Sequence, residues 1–569
     1  MPDSFMKALF QGVVTEQTLF PFPELAHREE ERLHPLLEGT RRFFATHVDS
    51  ARLDLAGDIP EPIRKGLAEL GLFGLIIPEA YGGLGLSATA YCRVIHEISS
   101  MDMSVARLVG AHQALGATGL FRFGTEAQKA RYLPRMARGE MIAAFALTET
   151  AAGSDAGSIQ TRAEPTATGF RIHGSKIWVT NGGYADLFTV FARTSAAEEG
   201  AKPKITAFLV ERGPHVTSTV HEPKLGLRAS SAPTVQLVDV EVRSDAVLGE
   251  SGRGYLVAMD VLNYGRLGLA SGCVGVCRRL VKLAVERAQE RKSFGRTIGE
   301  FGLIKDKIAE MMAQTFALES MTYLTTGLVD AGVTDFSVES AICKVAASEA
   351  LVRVVDLASQ VAGGTAYMEA LPYAQLLRDA RASLVVEGTN EILRCFIALS
   401  GMQGPGKELE EVARAMREPI KGFGLLSDFA MRKARTALGR ERLTRAHPAL
   451  EPQAAVFEEH TAALSRNVDK VLRKHGKNIA EMQFTQKRVA DLAIDLYAIA
   501  AVISRTTRAL ERQGEEGARR ELDLTTIFVR AADQRMRETS AAFDDNDDEL
   551  RKAVAAKAYN DGSYPFDVF

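Results

Sequence analysis

The sequence has few of the residues that mark extracellular, zinc-binding or membrane-spanning proteins. Its five cysteines are odd in number, scattered, and form no C-x-x-C pair. This pattern argues against a disulfide framework and a zinc site, and it favours a reducing compartment. No apolar run approaches the ~20 residues needed to cross a bilayer. We therefore expect neither a bound metal ion nor a membrane span.

The chain also lacks an excess of charge and a targeting segment. Its net charge of −3 gives no reason to expect a nucleic-acid partner. The first residues include Asp3 and no long apolar stretch, so neither a secretory signal nor a transit peptide is expected. A dinucleotide fingerprint is missing too, because no G-x-G-x-x-G stretch joins a predicted strand to a helix. These features predict a cytoplasmic protein without a Rossmann domain.

The hydrophobic pattern of the chain changes twice. It is helical over about 29–139, and it alternates with period two from about residue 144. Four runs rich in β-branched and aromatic residues then predict strands at 170–180, 187–192, 205–210 and 234–242. Because no helix separates them, they predict a small antiparallel barrel or sandwich.

Helical patterns return after residue 254. They predict helices over 303–330, 337–363 and 373–400, and the Gly-Pro-rich stretch 403–406 predicts a hinge before a further helical region. A chain of 569 residues exceeds what one hydrophobic core supports. The fold class is α+β, mostly α. Its predicted domains are an N-terminal helical domain (1–143), a central antiparallel β-barrel (144–252), a helical bundle (253–401) and a C-terminal helical domain (402–569).

The stretch 384–394 contains the residue that we expect to act as a base. Glu387 ends an apolar run, and a carboxylate among apolar residues loses hydration and is suited to accept a proton. Gly388 has no side chain, so a flat ligand can approach its backbone. Thr389 and Asn390 can satisfy the first free N–H groups of a helix. The alternative, which the tripeptide alone favours, is a glutamate that caps a surface helix.

Two further segments suit a flat heteroaromatic ligand. Residues 148–155 combine hydroxyls with a Gly-Ser-Asp turn whose backbone N–H groups can face a ligand. Trp178, the only tryptophan, and Thr180 are expected on one face of a strand, where an aromatic ring and a hydroxyl would adjoin. A capped turn and the core of the sheet domain are the respective alternatives.

Three segments suit the polar parts of a nucleotide ligand. Residues 291–296 place arginines, a serine and a phenylalanine at a break between helices, and arginine forks suit pyrophosphate oxygens. Residues 360–364 place two glycines after a helix, as a C-cap or as close packing against a nucleotide. Residues 263–266 open a helix, and Gly265 costs about 1 kcal/mol there relative to alanine, so it makes space for a neighbour. A plain basic loop and a paired helix arginine remain alternatives.

Taken together and in order, these segments resemble the acyl-CoA dehydrogenase family, and most of all its very-long-chain type. The resemblance runs from about Ser4 to beyond Tyr497. Its most specific motifs are residues 110–113, 123–129, 176–183, 301–308, 387–390 and 401–403. Thr150 and Val386 depart from residues common in the family, whereas Gly302 agrees with the very-long-chain type.

The resemblance implies FAD as cofactor and Glu387 as the catalytic base. It implies that the residues along the flavin are Phe145, Leu147, Thr148, Gly153, Ser154, Trp178 and Thr180. It implies that those at the pyrophosphate and adenosine, across a dimer interface, are Arg291, Ser293, Phe294, Gln360, Gly363 and Gly364. Thr389 and Glu391 would return to FAD. The implied acyl-CoA site comprises Ser154, Asn263, Tyr264, Gly265, Arg266 and Gly388.

The implied reaction is the α,β-dehydrogenation of long-chain acyl-CoA to trans-2-enoyl-CoA in fatty acid β-oxidation. Glu387 would remove the α proton while the β hydride passes to flavin N5. An electron-transfer flavoprotein would accept the electrons, and the enzyme would be a homodimer. Two alternatives stay open: an acyl-CoA oxidase that uses O₂, and a non-catalytic assembly or scaffold relative.

A basic amphipathic segment at 421–443 predicts a peripheral contact with the inner face of a membrane. It combines phenylalanines and leucines with arginines and lysines, a composition that can lie on an anionic lipid surface. The very-long-chain resemblance implies the same association. The alternative is that its apolar residues pack on the protein while its arginines are solvated.

Overall fold

The structure, a computed structural model, describes residues 4–194, 204–219, 223–415 and 442–568. The chain divides into two units. One comprises Met1–Ser4 and Thr18–Leu393, and the other comprises Phe5–Gln17 and Arg394–Phe569.

The first unit begins with helices, several of which have side-chain N-caps. The Asp102 carboxylate accepts a bond from the N–H of Val105 (2.7 Å), and Thr125 forms a capping box with Gln128. A π-helical stretch, Ala111–Ala117, follows α6. The helices are α2 His27–His47, α3 Ser50–Ala56, α4 Glu61–Glu69, α5 Ala88–Met101, α6 Met103–Gly110, α7 Thr118–Phe123 and α8 Glu126–Ala137, after α1 Phe5–Leu9 of the other unit. The predicted helical region is confirmed.

A mixed sheet follows. Its strands are β1 Ala143–Ala146, β2 Arg162–Pro165, β3 Gly169–Lys176, β4 Leu187–Arg193, β5 Ile205–Glu211, β6 Val216–Ser218, β7 Val235–Arg243 and β8 Val247–Leu248. They are ordered β6-β7-β3-β2-β4-β5-β8, with β1 paired to β4; β1 and β2 run parallel to β4 and the other pairs are antiparallel.

The sequence predicted a small antiparallel barrel or sandwich, and over the described part of the chain the structure shows one mixed sheet instead. The sheet ends in two short strands, β6 and β8, which do not pair with each other, so it stays open. Three of the four predicted strands are confirmed to within one residue. The fourth ends at Lys176 rather than residue 180, because Trp178 and Asn181 have φ angles of 53° and 67° that no strand adopts. Trp178 and Thr180 therefore lie in a loop.

Long helices complete the first unit. They are α9 Gly254–Glu290, α10 Gly302–Asp330, α11 Ser337–Ala362, α12 Tyr373–Ser383 and the start of α13 Asn390–Ala415. A short antiparallel hairpin of β9 Lys292–Ser293 and β10 Arg296–Thr297 joins α9 to α10. Glycines allow α9 to pack closely on α5: a Cβ at Gly275 would lie 2.0 Å from the His96 carbonyl oxygen.

Three sequence expectations about these helices are wrong. The predicted helix 373–400 is two helices, because Glu387 and Gly388 have positive φ angles of 60° and 97°. Residues 263–266 do not open a helix but lie within α9. Residues 403–406 do not break α13, which runs through Pro405. Packing outweighs the local signal there, since a Cβ at Gly401 would lie 2.3 Å from the Phe10 ring.

The second unit is helical, as predicted for the end of the chain. Its remaining helices are α14 Glu451–His475, α15 Gln483–Gly517, α16 Arg519–Ala541 and α17 Asp548–Asp561. His460 of α14 bonds Asp533 of α16 at 2.7 Å. None of the helices among the described residues is long and apolar enough to span a membrane. The predicted membrane-binding segment falls outside the described residues, apart from its last two positions.

Candidate active site

The turn between α12 and α13 carries Glu387, and buried cations hold its backbone. Lys344 of α11 donates to the carbonyl oxygens of Leu384 (3.3 Å) and Gly388 (2.8 Å) and to Oδ1 of Asn390 (2.8 Å). Arg266 of α9 donates from Nε to the Glu387 carbonyl oxygen at 3.4 Å. These contacts stabilise a left-handed backbone at a glutamate, which is otherwise unfavourable.

Burial lowers the pKa of both of these cations. It lowers the pKa of Arg266 to about 10, against the opposing attraction of Glu387. It lowers the pKa of Lys344 to about 8, again against the attraction of Glu387. Both side chains are therefore mainly protonated at neutral pH.

The Glu387 side chain is held by only one of its two oxygens. Arg107 of α6 donates from Nη1 to Oε1 at 2.7 Å, and the Glu387 side chain is 6% exposed. Among the described residues, Oε2 is buried with no hydrogen-bond partner. A Cβ at Gly265 would lie 2.8 Å from Oε2, so glycine at this position leaves room for the carboxylate.

A cavity of about 70 Å³ adjoins this carboxylate. Its wall contains a stripe of glycines on one face of α9, at Gly265, Gly268 and Gly272. Side chains there would strike α5: a Cβ at Gly268 would lie 3.1 Å from the Tyr91 hydroxyl oxygen. The rest of the lining is mainly apolar and comes from α5, α6, α9 and the turn, including Ile95, Ala106, Ala111, Ala114, Leu115, Leu269 and Val386. Such a shape suits a narrow apolar ligand.

A second group of expected residues lies where β1 meets the loop after β3. The N–H of Ile177 donates to the Thr148 carbonyl oxygen at 2.9 Å, which brings Trp178 beside 145–148. Asn181 Nδ2 donates to the carbonyl oxygens of Ala143 (3.3 Å) and Leu108 (3.0 Å). Because Leu108 follows Arg107, this loop is tied to the helix that holds the base. Trp178 is 67% exposed.

The turn that contains Gly153 and Ser154 is anchored by a buried ion pair. Glu149 accepts from Lys176 Nζ at 2.7 Å and from the N–H of Thr161 at 3.0 Å. Burial opposes ionisation of Glu149, but its pairing with Lys176 lowers its pKa overall. Gly153 and Ser154 are exposed and do not line the Glu387 cavity.

The third group of expected residues is exposed and separate from the cavity. In the β9–β10 hairpin, Phe294 (φ 52°) and Gly295 (φ 81°) form the turn, and Phe294 is 95% exposed. Arg291 is exposed beside it. Gln360 lies in the last turn of α11, followed by the exposed Gly363 and Gly364. None of these residues lines the Glu387 cavity.

The remaining expected residues surround the turn. Asn263 accepts from Arg266 Nη1 at 3.0 Å, and the Tyr264 hydroxyl accepts from Arg122 at 3.1 Å. Thr389 is half-buried, and Glu391 is exposed on the first turn of α13. The structure thus brings Asn263, Gly265, Arg266 and Gly388 to the base through α9 and the turn.

Sequence reasoning missed several residues that shape this site. Arg107 and Lys344 each interrupt an otherwise apolar helical stretch, and a single charge in such a stretch is a signal of a buried, paired group. Tyr91 is harder to find, because a tyrosine in an apolar helix gives no such signal. Burial raises its pKa well above the ordinary value.

Family models match most of the chain. They are the acyl-CoA dehydrogenase N-terminal domain (30–140), middle domain (144–240) and C-terminal domain (252–402), and the ACAD9/ACADV C-terminal domain (448–563). The very long-chain specific acyl-CoA dehydrogenase of Macaca fascicularis mitochondria is 41% identical over 551 residues, 95% of this chain and 84% of that protein. The chain belongs to the acyl-CoA dehydrogenase family.

Solved structures of the family share the fold. An acyl-CoA dehydrogenase complexed with FAD from Bacillus anthracis matches with a TM-score of 0.82 at 27% identity, covering 100% of this chain and 97% of that one. The butyryl-CoA dehydrogenase of Megasphaera elsdenii matches with a TM-score of 0.63 at 33% identity, covering 66% of this chain and 99% of that one. The acyl-CoA dehydrogenase fold thus extends over the whole of this chain, with a C-terminal region that the shorter protein does not match.

Proposed function

We propose that Glu387 is the base of a fatty acyl-CoA dehydrogenase that acts on long acyl chains. The chain is an FAD-dependent acyl-CoA dehydrogenase of fatty acid β-oxidation, and it converts acyl-CoA to trans-2-enoyl-CoA. One observation carries the residue assignment. The buried oxygen Oε2 of Glu387 has no hydrogen-bond partner among the described residues and stands in an apolar cavity.

The residues present fit FAD. An exposed indole, Trp178, stands beside the backbone of 145–148, and an exposed phenyl ring, Phe294, stands on a hairpin with Arg291. An exposed aromatic ring beside backbone polar groups or an arginine can stack on a flat heteroaromatic ligand. Trp178, Thr148 and Thr180 would hold the flavin end, and Arg291 would face the pyrophosphate. Bound FAD supplies the acceptor for the β hydride.

Each group around Glu387 has a task in the proposed reaction. Oε2 accepts the proton from the carbon α to the thioester carbonyl. Lys344 and Arg266 hold the backbone of the turn on both sides of the Glu387 side chain. The Glu387 N–H stabilises negative charge on the thioester oxygen. The apolar wall excludes water, which would compete for the α proton.

The cavity wall supports an acyl substrate beside α9. Gly265, Gly268 and Gly272 line the cavity there, and side chains at these positions would press on Glu387, Tyr91 and Ser99. The 41% identical relative from Macaca fascicularis is described as very long-chain specific, and this supports the preference for long chains. Asn263, Tyr264 and Ser154 are proposed to contact the CoA thioester or its pantetheine arm.

The exposed group supports a homodimer in which Arg291, Ser293, Phe294, Gln360, Gly363 and Gly364 meet the adenosine half of FAD across two copies. Phe294 and Tyr367 are 95% and 90% exposed in the single chain, which suits coverage by a second copy. Thr389 and Glu391 are proposed to contact FAD beside the base. An electron-transfer flavoprotein is the proposed electron acceptor.

The proposed four-domain division follows the sequence boundaries at about residues 143, 252 and 401. A peripheral membrane contact through 421–443 is proposed on its composition of phenylalanines, leucines and arginines. Removal of the segment from Lys421 onward should then weaken binding to anionic liposomes more than turnover of a short-chain substrate. Unchanged liposome binding would contradict the contact.

The function is tested by anaerobic titration of the purified yellow protein with acyl-CoA esters from butyryl to stearoyl. We expect the flavin absorbance to bleach. The lowest ester concentration for complete bleaching is expected with long chains. No bleaching with any ester would overturn the proposal. Oxygen consumption with palmitoyl-CoA and no added acceptor separates the dehydrogenase, which consumes little, from an oxidase. A scaffold relative would neither bleach nor consume oxygen.

A further inference from the structure

Arg107 is the cation in the wall of this mainly apolar cavity, which also contains Asp379, and the proposed reaction does not require it. It reaches Glu387 from α6, 280 residues away in sequence, with Nη1 2.7 Å from Oε1. We propose that Arg107 is a positioning residue that holds Oε1 of Glu387, so that Oε2 is the oxygen presented to the substrate. This inference rests on the proposed role of Glu387 as the base.

The two carboxylate oxygens are not equivalent. Oε1 accepts a charge-assisted bond from the guanidinium, which makes it the poorer proton acceptor. Oε2 has no hydrogen-bond partner among the described residues and faces α9 at Gly265. A proton on carbon forms no strong hydrogen bond with the base before the reaction. The oxygen that removes this proton must therefore be free of other hydrogen bonds.

Arg107 restrains the rotation of the Glu387 side chain, which the other cations do not restrain. Lys344 and Arg266 bind carbonyl oxygens of the turn and so fix the backbone on both sides of the Glu387 side chain. They do not restrain the rotation of that side chain. Without Arg107, the carboxylate is free to rotate within the cavity, towards groups such as the Tyr91 hydroxyl, which has no hydrogen-bond partner among the described residues.

The charged and titratable groups that face Glu387 come from five elements. They are Tyr91 of α5, Arg107 of α6, Arg266 and Cys273 of α9, Lys344 of α11 and Asp379 of α12. Burial raises the pKa of Tyr91 and raises that of Cys273 to about 12, so both are neutral at neutral pH. Of the cations, Arg107 makes the contact with a carboxylate oxygen.

The ion pair restrains the carboxylate before proton transfer. Charge-assisted attraction to the guanidinium favours the orientation of the Glu387 side chain that presents Oε2. Removal of the guanidinium should therefore lower kcat, because fewer enzyme–substrate complexes hold Oε2 within reach of the α proton, and it should leave KM nearly unchanged.

The experiment compares Arg107→Met and Arg107→Lys in the flavin-containing full-length protein, with palmitoyl-CoA and a dye acceptor. The matched control is Arg278→Met on α9, which removes a half-exposed arginine paired with Glu319 at 3.0 Å. We expect kcat to fall by about tenfold at a nearly unchanged KM in Arg107→Met only. Arg107→Lys keeps the charge and should recover part of that loss, because a lysine can still pair with Oε1 although its reach differs.

A readout without turnover accompanies the rates. Urea unfolding is measured for Arg107→Met, Glu387→Gln and the double variant. We expect Arg107→Met to be less destabilising when Glu387 is already glutamine. Additive effects would overturn the ion pair. If Arg107→Met does not fold, the same cycle is run with Arg107→Lys.

The outcomes separate this inference from the proposed function. Near-normal turnover of Glu387→Gln refutes the base, and with it the proposed function. An inactive Glu387→Gln together with an unchanged kcat in Arg107→Met overturns the role of Arg107 alone. An equal loss of kcat in Arg107→Met and Arg107→Lys would also overturn it, because that is the result of a purely structural defect.

Discussion

The candidate site has a closed half and an open half. The closed half surrounds Glu387, whose side chain is 6% exposed and whose backbone and carboxylate are held by side chains from α6, α9 and α11. The open half contains Trp178 and Phe294, which are 67% and 95% exposed. Side chains of this chain alone surround the base in the closed half. The open half exposes apolar surface that a ligand or a second copy can cover.

The difference reflects what each half must do. A base has to keep one position to within a fraction of an ångström, so its supports are buried and charged. A cofactor site has to admit a large ligand, so its side chains stay accessible until the ligand binds. Changes in the closed half should therefore alter rates, and changes in the open half should alter cofactor affinity.

The largest effect is expected in the closed half, for Glu387→Gln. The amide keeps the shape of the side chain but cannot accept the α proton, so kcat should fall by about 10³-fold or more while the flavin stays bound. Flavin absorbance and stopped-flow bleaching measure the two properties. The matched control is Glu410→Gln, an exposed carboxylate on α13. Equal turnover of the two variants would remove the closed half from catalysis.

Gly265→Ala should impair the same half without changing its charge. The added Cβ would lie 2.8 Å from both Oε2 of Glu387 and the Leu115 side chain, so the carboxylate must shift. We expect kcat/KM to fall by about 10²-fold. Gly302→Ala is the control, since its Cβ would meet nothing within 4 Å. A variant with wild-type kcat/KM would show that the glycine stripe is not needed for catalysis.

The open half is tested with the only tryptophan as reporter. Trp178 emission should fall when FAD binds to the apoprotein, and Phe294→Ala should move the titration to about tenfold higher FAD. Leu550→Ala on α17 removes an exposed apolar side chain elsewhere and should leave the titration unchanged. Equal emission from apoprotein and FAD-bound protein would place the indole away from the flavin.

The smallest effect concerns a buried acid in the cavity wall, Asp379. Burial raises its pKa to about 7, although it accepts a bond from the Leu227 N–H. The folded state thus binds more protons than the unfolded state between pH ~4 and ~7, and stability falls as pH rises through that window. Between pH 5 and pH 8, the free energy of unfolding of Asp379→Asn should rise by about 2 kcal/mol relative to that of the wild type.

Urea unfolding at the two pH values measures this gain. Glu410→Gln, which changes an exposed carboxylate on α13, serves as the control. A constant difference between Asp379→Asn and wild type across the pH range would mean that Asp379 is already ionised in the folded protein below pH 5.

Local pattern predicted much of the fold. The strands at 187–192, 205–210 and 234–242 and the helices at 303–330 and 337–363 agree with the structure to within about a residue. Local pattern failed where packing or backbone strain prevailed. Pro405 stays helical because Gly401 packs against Phe10, and the strand before Trp178 ends early at a left-handed residue. The open edges of the sheet could not be predicted, because strand pairing is a long-range property.

The sequence by itself determined the family, the cofactor and the position of the candidate base, because those are written in short motifs such as residues 387–390. Only the tertiary structure decided what holds that base. Arg107, Arg266 and Lys344 lie 280, 121 and, through Gly388, 44 residues away from their partners. No spacing rule connects residues so far apart, and the packing of α6, α9 and α11 around one turn brings them together.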